Sequence, residues 1–516
     1  MAHLGIDYGT TNTVVVCADR GRYPLVPHVT DTAIGRVARE VFPSLFVYDT
    51  TTGSLRFGAE AERSLAEPGA SQRYIPIRSF KRFFRNYVDG MRIATESIPG
   101  GLDMRESFQQ FTRAIYASVR SSGIVGLGEP LEAVLTWPAN ANGAQRHLTR
   151  SAFKEAGFTV ISTLNEPSAA AIELADRMVH GNRAKARQTK MTVAVFDLGG
   201  GTFDASVVRI NATDYTVLAS AGIENLGGDD FDAVLAELFC EKLKIEITSL
   251  STFHRTMLLM HACREKERLS AGQSRTLTLD PEEIGLSGAL VKVTAAAYEK
   301  QLTELIEPAV AKLDEVIKSA GNDELETIYL VGGSSRLPLV SKLIARRFPK
   351  VKLFSTDKPF SATSMGAAIQ SVETMRVHEV FARHFGVIRL ADHGTREIFV
   401  PVFHAGLRLP ARGEAPISTE VRYQPCHNIG RFRYLECTAV DAQGKPEAGL
   451  RAWSEILFPY DHTRAINETL TPEQIHQRND LAGEAVETYT CDSDGIITVQ
   501  MKRADGQSRT FEVFRA

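Results

Sequence analysis

The sequence predicts an α/β protein of two related lobes, followed by a smaller β-rich module. Three observations carry this prediction. Residues 4–16 read LGIDYGTTNTVVV and residues 194–208 read AVFDLGGGTFDASVV. Each copy runs from an apolar strand through Asp and a Gly-rich, Thr-containing turn into a second apolar strand, the pattern of a β-hairpin. Strand-like and helix-like segments alternate through the first 375 residues. After about residue 378, helical periods give way to short alternating segments separated by Gly, Pro and Asp, as in a β-sandwich.

Composition bounds the function. The chain has 516 residues, 43% apolar and 23% charged, enough for about three to five ordinary globular domains. A net charge of −3 offers no global field for nucleic acid or anionic lipid, so neither nucleic acid nor membrane is an expected partner. No apolar run reaches about 18 residues. The opening MAHLGIDYG is strand-like and shows no charged-then-apolar leader, so no signal peptide is expected. Cys17, Cys240, Cys263, Cys426, Cys437 and Cys491 form no CxxC pair. Reduced thiols and a cytoplasmic location are expected.

Between the hairpin copies, LEAVLTWP (131–138) reads as a buried strand ended by proline. Gln145–Gly157 reads as a helix stopped by glycine, and EPSAAAIELADRM (166–178) as a second helix. The basic segment HGNRAKARQTK (180–190) reads more simply as a solvated loop than as a nucleic-acid patch. Residues 227–320 are mostly helical, with a strand pair near 275–294. TIYLVGG (327–333) is strand-to-glycine, and GAAIQSVE (366–373) closes the region as a helix. In the C-terminal part REIFVPVF, GLRLP, FRYLECTAV, GIITVQMK and RTFEVF read as strands, with DSDG (492–495) a hairpin turn.

Asp7 and Asp197 each end a strand before a Gly/Thr turn. Backbone N–H groups of such turns form concavities suited to phosphate oxygens. One carboxylate per lobe, with Thr10, Thr11 and Thr202 beside them, suits Mg²⁺, which takes few carboxylates plus water and substrate phosphates. A single such turn is read as readily as an ordinary hairpin; the matching pair makes a phosphate site the better reading. Lys81 alone is an ordinary surface lysine, and Glu166 alone a first-turn helix carboxylate. LVGGSSRLP (330–338) could bring backbone beside a nucleoside or serve only as a turn.

GIDYGTTNT (5–13), TWPANANGAQR (136–146), NEPSAAA (165–171), FDLGGGTFD (196–204), GGDDFD (227–232) and VGGSSRLP (331–338) resemble the heat-shock-70 (DnaK-like) chaperones, in that family's order. The resemblance spans residues 4–375. It implies an actin-like two-lobed ATPase of the duplicated ribonuclease-H-like fold, using ATP/ADP and Mg²⁺. It implies Asp7, Asp197 and Asp204 around the metal, mostly through water. It implies Gly9, Thr10, Thr11, Asn12, Gly199, Gly200, Gly201 and Thr202 as the phosphate loops, with Gly228 and Asp229 also at the nucleotide. Asp7, Lys81, Glu166, Asp197 and Thr202 are the implied catalytic set, Lys81 matching the lysine that positions water and γ-phosphate. Gly332, Gly333, Ser334 and Arg336, with Lys266 and Ser270, correspond to the adenosine site.

The C-terminal part resembles the same family's peptide-binding sandwich in HFGVIRL, VFHAGLRLPARGEAPIST and TYTCDSDGIITVQMKRADGQ. Val387, Leu390 and Cys491 correspond to its peptide pocket, although ordinary core positions explain them equally well. The expected division is an ATPase domain over 1–375, a linker over 376–382 and a sandwich over 383–516 without the family's helical lid. The linker SVETMRVHEVF (371–381), Gly143, Cys263 and Phe360 depart from the family pattern. The resemblance implies a chaperone that binds unfolded or extended polypeptide, served by a J-domain co-chaperone and a nucleotide-exchange factor. A nucleotide-dependent scaffold for one dedicated protein is the alternative. A small-molecule kinase or a filament is disfavoured, because no sugar-binding aspartate motif is visible and the sandwich suits neither.

Overall fold

Two hairpins with the same turn open two sheets with the same strand order. The computed structural model describes residues 1–513 other than 33–34, 89, 96–97, 180–189, 322–324, 392–395, 442–443, 479 and 482. The basic segment 180–190 therefore lies, save Lys190, outside the described residues. Contacts divide the chain into two compact units. One comprises Met1–Arg85, Gly90–Asn140 and Leu148–Met375; the other comprises Arg376–Ala516 with Asn86–Asp89 and Ala141–His147.

In the first unit, one sheet runs Thr159–Asn165, Leu131–Trp137, Ala2–Tyr8, Asn12–Ala18, Phe42–Pro43. The second runs Lys352–Ser355, Thr327–Val331, Lys190–Leu198, Phe203–Asn211, Asp214–Ile223. In both, the first three strands are parallel and the last two antiparallel. Val-rich central strands, buried on both faces, suit sheets covered by helices on each side. The helix Glu166–Val179 leaves the first sheet and packs on the second; Ala362–Val372 leaves the second and packs on the first. These two helices also pack on each other. Asp103, Ser251 and Thr294 cap the helices Met104–Ser121, Thr252–Ser270 and Ala295–Ser319, each accepting from a first-turn N–H, which meets one otherwise unpaired donor.

Packing differs between the lobes. The first fills with rings: Tyr8, Phe46, Phe80, Phe84, Phe108 and Phe111 are each at most 1% exposed. The second is aliphatic, around Leu235, Leu258, Leu302, Leu313, Ile328 and Ile344. Each such burial contributes about 1.5–3 kcal/mol. No helix among the described residues is long and apolar enough to cross a membrane.

The second unit is a sandwich of two antiparallel four-stranded sheets. Their orders are Arg396–Phe403, His384–Ala391, Ile429–Cys437, Arg451–Pro459 and Ile417–Tyr423, Ala485–Cys491, Ile497–Lys502, Ser508–Glu512. Phe385, Val387, Tyr434 and Phe458 from one sheet meet Tyr489, Cys491, Val499 and Met501 from the other in a shared core. DSDG makes the turn it was expected to make: Asp492 Oδ1 accepts from Asp494 N–H and Ile496 N–H, both at 2.9 Å. Four details differ from the sequence reading, one of them the unforeseen strand Arg451–Pro459. Arg376–His378, inside the expected linker, is a strand. GLRLP forms only an isolated bridge, Val380 to Arg408. Ile417–Tyr423 is a strand that the sequence reading passed over, although Ile417, Thr419, Val421 and Tyr423 are half-buried and alternate strictly with exposed Ser418, Glu420 and Arg422.

Candidate functional site

The two repeated turns close with the same bond. Gly9 N–H donates to the Asn12 carbonyl and Gly199 N–H to the Thr202 carbonyl, each at 3.1 Å. Asp7 ends its strand against Thr136, whose hydroxyl donates to Asp7 Oδ1 at 3.1 Å. Asp197 ends the equivalent strand, paired with Val331 on one side and Asp204 on the other. The turns touch across the lobes. A Cβ at Gly200 would lie 2.1 Å from Thr11 Oγ1, so any side chain there would have to displace the Thr11 hydroxyl or push the turns apart. Gly332, at φ +80°, is another such position: its missing Cβ would fall 2.3 Å from the Leu198 carbonyl oxygen.

Around these turns lies a cleft of about 930 Å³. Asp7, Gly9, Thr10, Thr11, Asn12, Lys81, Glu166, Asp197, Gly199, Gly200, Thr202 and Gly228 line it. So do Lys266, Ser270, Gly332, Gly333, Ser334 and Arg336, together with Cys263 and Phe360. Segments far apart in the chain thus converge on one cavity. Gly201, Asp204 and Asp229 are not on its wall. Asp229 instead accepts from Ser79 and lies 3.5 Å from Arg78, which ties the helix Gly228–Leu243 to the first lobe. Lys266 is also anchored, donating to the Gly228 carbonyl and pairing with Asp232, both at 2.7 Å.

The floor of the cleft is anionic and buried. Lys81 Nζ donates to Glu166 Oε1 at 2.9 Å. Burial and the Glu166 charge push Asp7 up to about 7 and Asp204 up to about 8, with Lys81 as the opposing influence. Burial, then Glu166, Asp204 and Asp7, push Asp197 well above the ordinary carboxylate range. Burial opposes the charge of Lys81, yet Glu166 and Asp7 hold its ammonium above its ordinary value. Asp204 Oδ1 is buried without a hydrogen-bond partner. Asp7, Glu166 and Asp197 on the cleft wall, with Asp204 buried outside it, face the one Lys81 ammonium, a shortage of positive charge that a divalent cation would supply. No group of three or more His, Cys, Asp or Glu side chains among the described residues stands close enough to hold an ion directly. The few buried carboxylates and the orphaned Asp204 oxygen fit Mg²⁺, which takes few carboxylates and keeps several waters.

A sequence profile of the Hsp70 protein family matches residues 108–381. The chain belongs to the Hsp70 family. It is 34% identical over 385 residues to the chaperone protein HscA homolog of Shewanella sediminis, covering 71% of this chain and 58% of that protein. It is 32% identical over 384 residues to the HscA homolog of Tolumonas auensis, covering 71% of this chain and 57% of that one. The matched span is thus less than two thirds of these relatives' length. The duplicated sheets are the two lobes of the actin-like Hsp70 fold.

In this Hsp70 chain two of the three sandwich residues face the inter-sheet core. Val387 and Cys491 are fully buried inside the inter-sheet core, because strand alternation turns them inward with Phe385 and Tyr489. Leu390 belongs to the strand His384–Ala391, but its side chain lies outside the described residues. Two site-building residues escaped the sequence reading. Ser44 donates from Oγ to the Gly9 carbonyl and from N–H to the Thr11 carbonyl, both at 2.8 Å, and so braces the first turn. Arg82 reaches Gly201 O at 3.2 Å and Asp230 Oδ2 at 2.5 Å, and so braces the second. Ser44 carries no sequence signal. Arg82 adjoins Lys81, and the charge run of GGDDFD is the one hint of its partner.

Proposed function

We propose that this Hsp70-family protein hydrolyses Mg-ATP and uses the lobes as a nucleotide-driven switch for its sandwich, which binds extended polypeptide. The observation that carries the reading is the contact of the two glycine turns beside the Lys81–Glu166 pair in one cleft. Phosphoryl transfer needs positioning and charge stabilisation rather than covalent catalysis, and this cleft is organised for those tasks. The turn N–H groups would hold phosphate oxygens. Asp7, Asp197 and Asp204 would hold the magnesium shell. When bound, the ion supplies charge neutralisation at the transferring phosphoryl group. Lys81, fixed by Glu166, places a positive charge where negative charge develops and orients a water for attack. Lys266, Ser270, Gly333, Ser334 and Arg336 would flank the nucleoside. Six unpaired thiols suit a reducing compartment such as the cytoplasm. A J-domain protein and an exchange factor are the partners this reading calls for.

The test is single-turnover hydrolysis by wild type and Lys81→Ala. The variant should retain Mg-ATP affinity and lose about 100-fold or more in rate. Wild-type turnover in the variant would sink the assignment. The dedicated-scaffold reading has one observation in its favour, the burial of Val387 and Cys491 in the sandwich core. Anisotropy with a labelled apolar peptide separates the two: no binding with either ATP or ADP favours the scaffold.

A further inference from the structure

Lys81 has a second neighbour that neither its motif nor its ion pair accounts for. Its Nζ lies over the ring of Tyr8, 5.5 Å from the centroid, inside the roughly 6 Å range of cation–π attraction. Tyr8 follows Asp7 directly, so the strand that sets the carboxylate also sets the ring. The ring is 1% exposed and wedged among Phe84, Phe108 and Phe111 at centroid distances of 5.7, 4.9 and 5.6 Å. Its hydroxyl is buried without a hydrogen-bond partner, so the oxygen does not explain the placement. The opposing element is the 3₁₀ helix Phe80–Asn86, in which side chains three apart line up. Lys81 and Phe84 therefore share the face that meets Tyr8.

We propose that Tyr8 is a positioning residue for hydrolysis: its ring face holds the Lys81 ammonium against Glu166 and keeps it aimed into the cleft. The proposal rests on the reading that this chain hydrolyses ATP with Lys81 in the role given above. The π face attracts the cation in water-excluded surroundings, where the attraction is strongest. The ring's aromatic packing fixes its position independently of nucleotide. Because Lys81 acts on charge that develops during the reaction, loosening it lowers turnover rather than substrate binding.

The test measures steady-state ATP hydrolysis by Tyr8→Phe, Tyr8→Leu and Lys81→Met, and by proteins carrying progressively fluorinated phenylalanine at position 8. Tyr8→Leu should lose about 2- to 30-fold in kcat with KM within about twofold, while Tyr8→Phe retains most turnover. Fluorination preserves the ring's shape but drains its negative face, so kcat should fall stepwise with fluorine number. In the Lys81→Met background Tyr8→Leu should have no further effect. Equal kcat for Tyr8→Leu and Tyr8→Phe, or for pentafluorophenylalanine and phenylalanine, overturns the proposal. Should Tyr8→Leu fail to fold, the fluorinated series decides alone. No hydrolysis by the wild type, or full turnover in Lys81→Met, would instead strike the underlying functional reading.

Discussion

Replacing Gly200 by alanine tests the meeting of the two turns with the smallest possible change. The added Cβ would lie 2.1 Å from Thr11 Oγ1, 3.2 Å from Thr11 Cβ and 3.4 Å from Thr11 N. Carbon and oxygen do not approach within about 3 Å, so Thr11 must swing its hydroxyl away or the turns must part by about 1 Å, and overpacking of this kind costs about 1–3 kcal/mol. A misplacement of about 1 Å at a reacting centre costs on the order of 100-fold in rate. Gly200→Ala should therefore weaken Mg-ATP binding in titration calorimetry and slow single-turnover hydrolysis about 100-fold. Thr11→Ala removes the hydroxyl that makes the 2.1 Å clash and leaves contacts at 3.2 and 3.4 Å, so the double variant should recover part of both losses. Wild-type affinity and rate in Gly200→Ala would refute the reasoning, since the turns would then not need to touch.

Asp197→Asn removes one ionisable carboxyl from a buried, mutually repelling set. It should raise the Tm of the nucleotide-free protein while lowering Mg-dependent ATP affinity about tenfold, or ~1.4 kcal/mol; an equal affinity loss with and without Mg²⁺ would make the carboxylate merely structural. Residues 1–375 hold the whole cleft, so that fragment should fold alone and gain about 2.7 kcal/mol of stability at an ATP concentration 100 times Kd. An insoluble fragment, or one without a thermal shift, would place the boundary elsewhere. Burial holds His28 down to about 4, so it enters the folded state uncharged. Its folded value lies below its unfolded one, so stability falls as pH drops from about 6.5 toward about 4, by about 2 kcal/mol at pH 5. Melts at pH 7 and pH 5 should show a smaller drop for His28→Phe; an equal drop would assign the acid sensitivity to other groups.

Most of the architecture was legible because its signals are local. The repeated strand–Asp–Gly turn marks both lobes, apolar runs bounded by Gly and Pro mark the central strands, and fading helical periods mark the sandwich. Ile417–Tyr423 alternates strictly, but one Ile and one Val among Ser, Thr, Glu and Arg make it too polar to stand out as a strand beside the apolar runs. GLRLP misled because an apolar–charged alternation also suits a segment making a single bridge. Val387 and Cys491 matched a pocket by position, but position along a strand does not say whether the inner face opens to a groove or closes into a core.

By itself, the sequence determined that two copies of an acidic glycine turn exist, which residues compose them, and that their motifs follow the order of the Hsp70 family. It could do so because a tight turn and a strand end are built from a few consecutive residues. What only the tertiary structure decided is which of those residues meet. The contact of Gly200 with Thr11, the pairing of Lys81 with Glu166, the brace of Ser44 and Arg82 on opposite turns, and the Tyr8 ring beneath Lys81 all join segments separated by dozens to hundreds of residues. Such contacts depend on how two sheets and their exchanged helices pack, and close packing leaves no local trace of which distant side chain fills a given space.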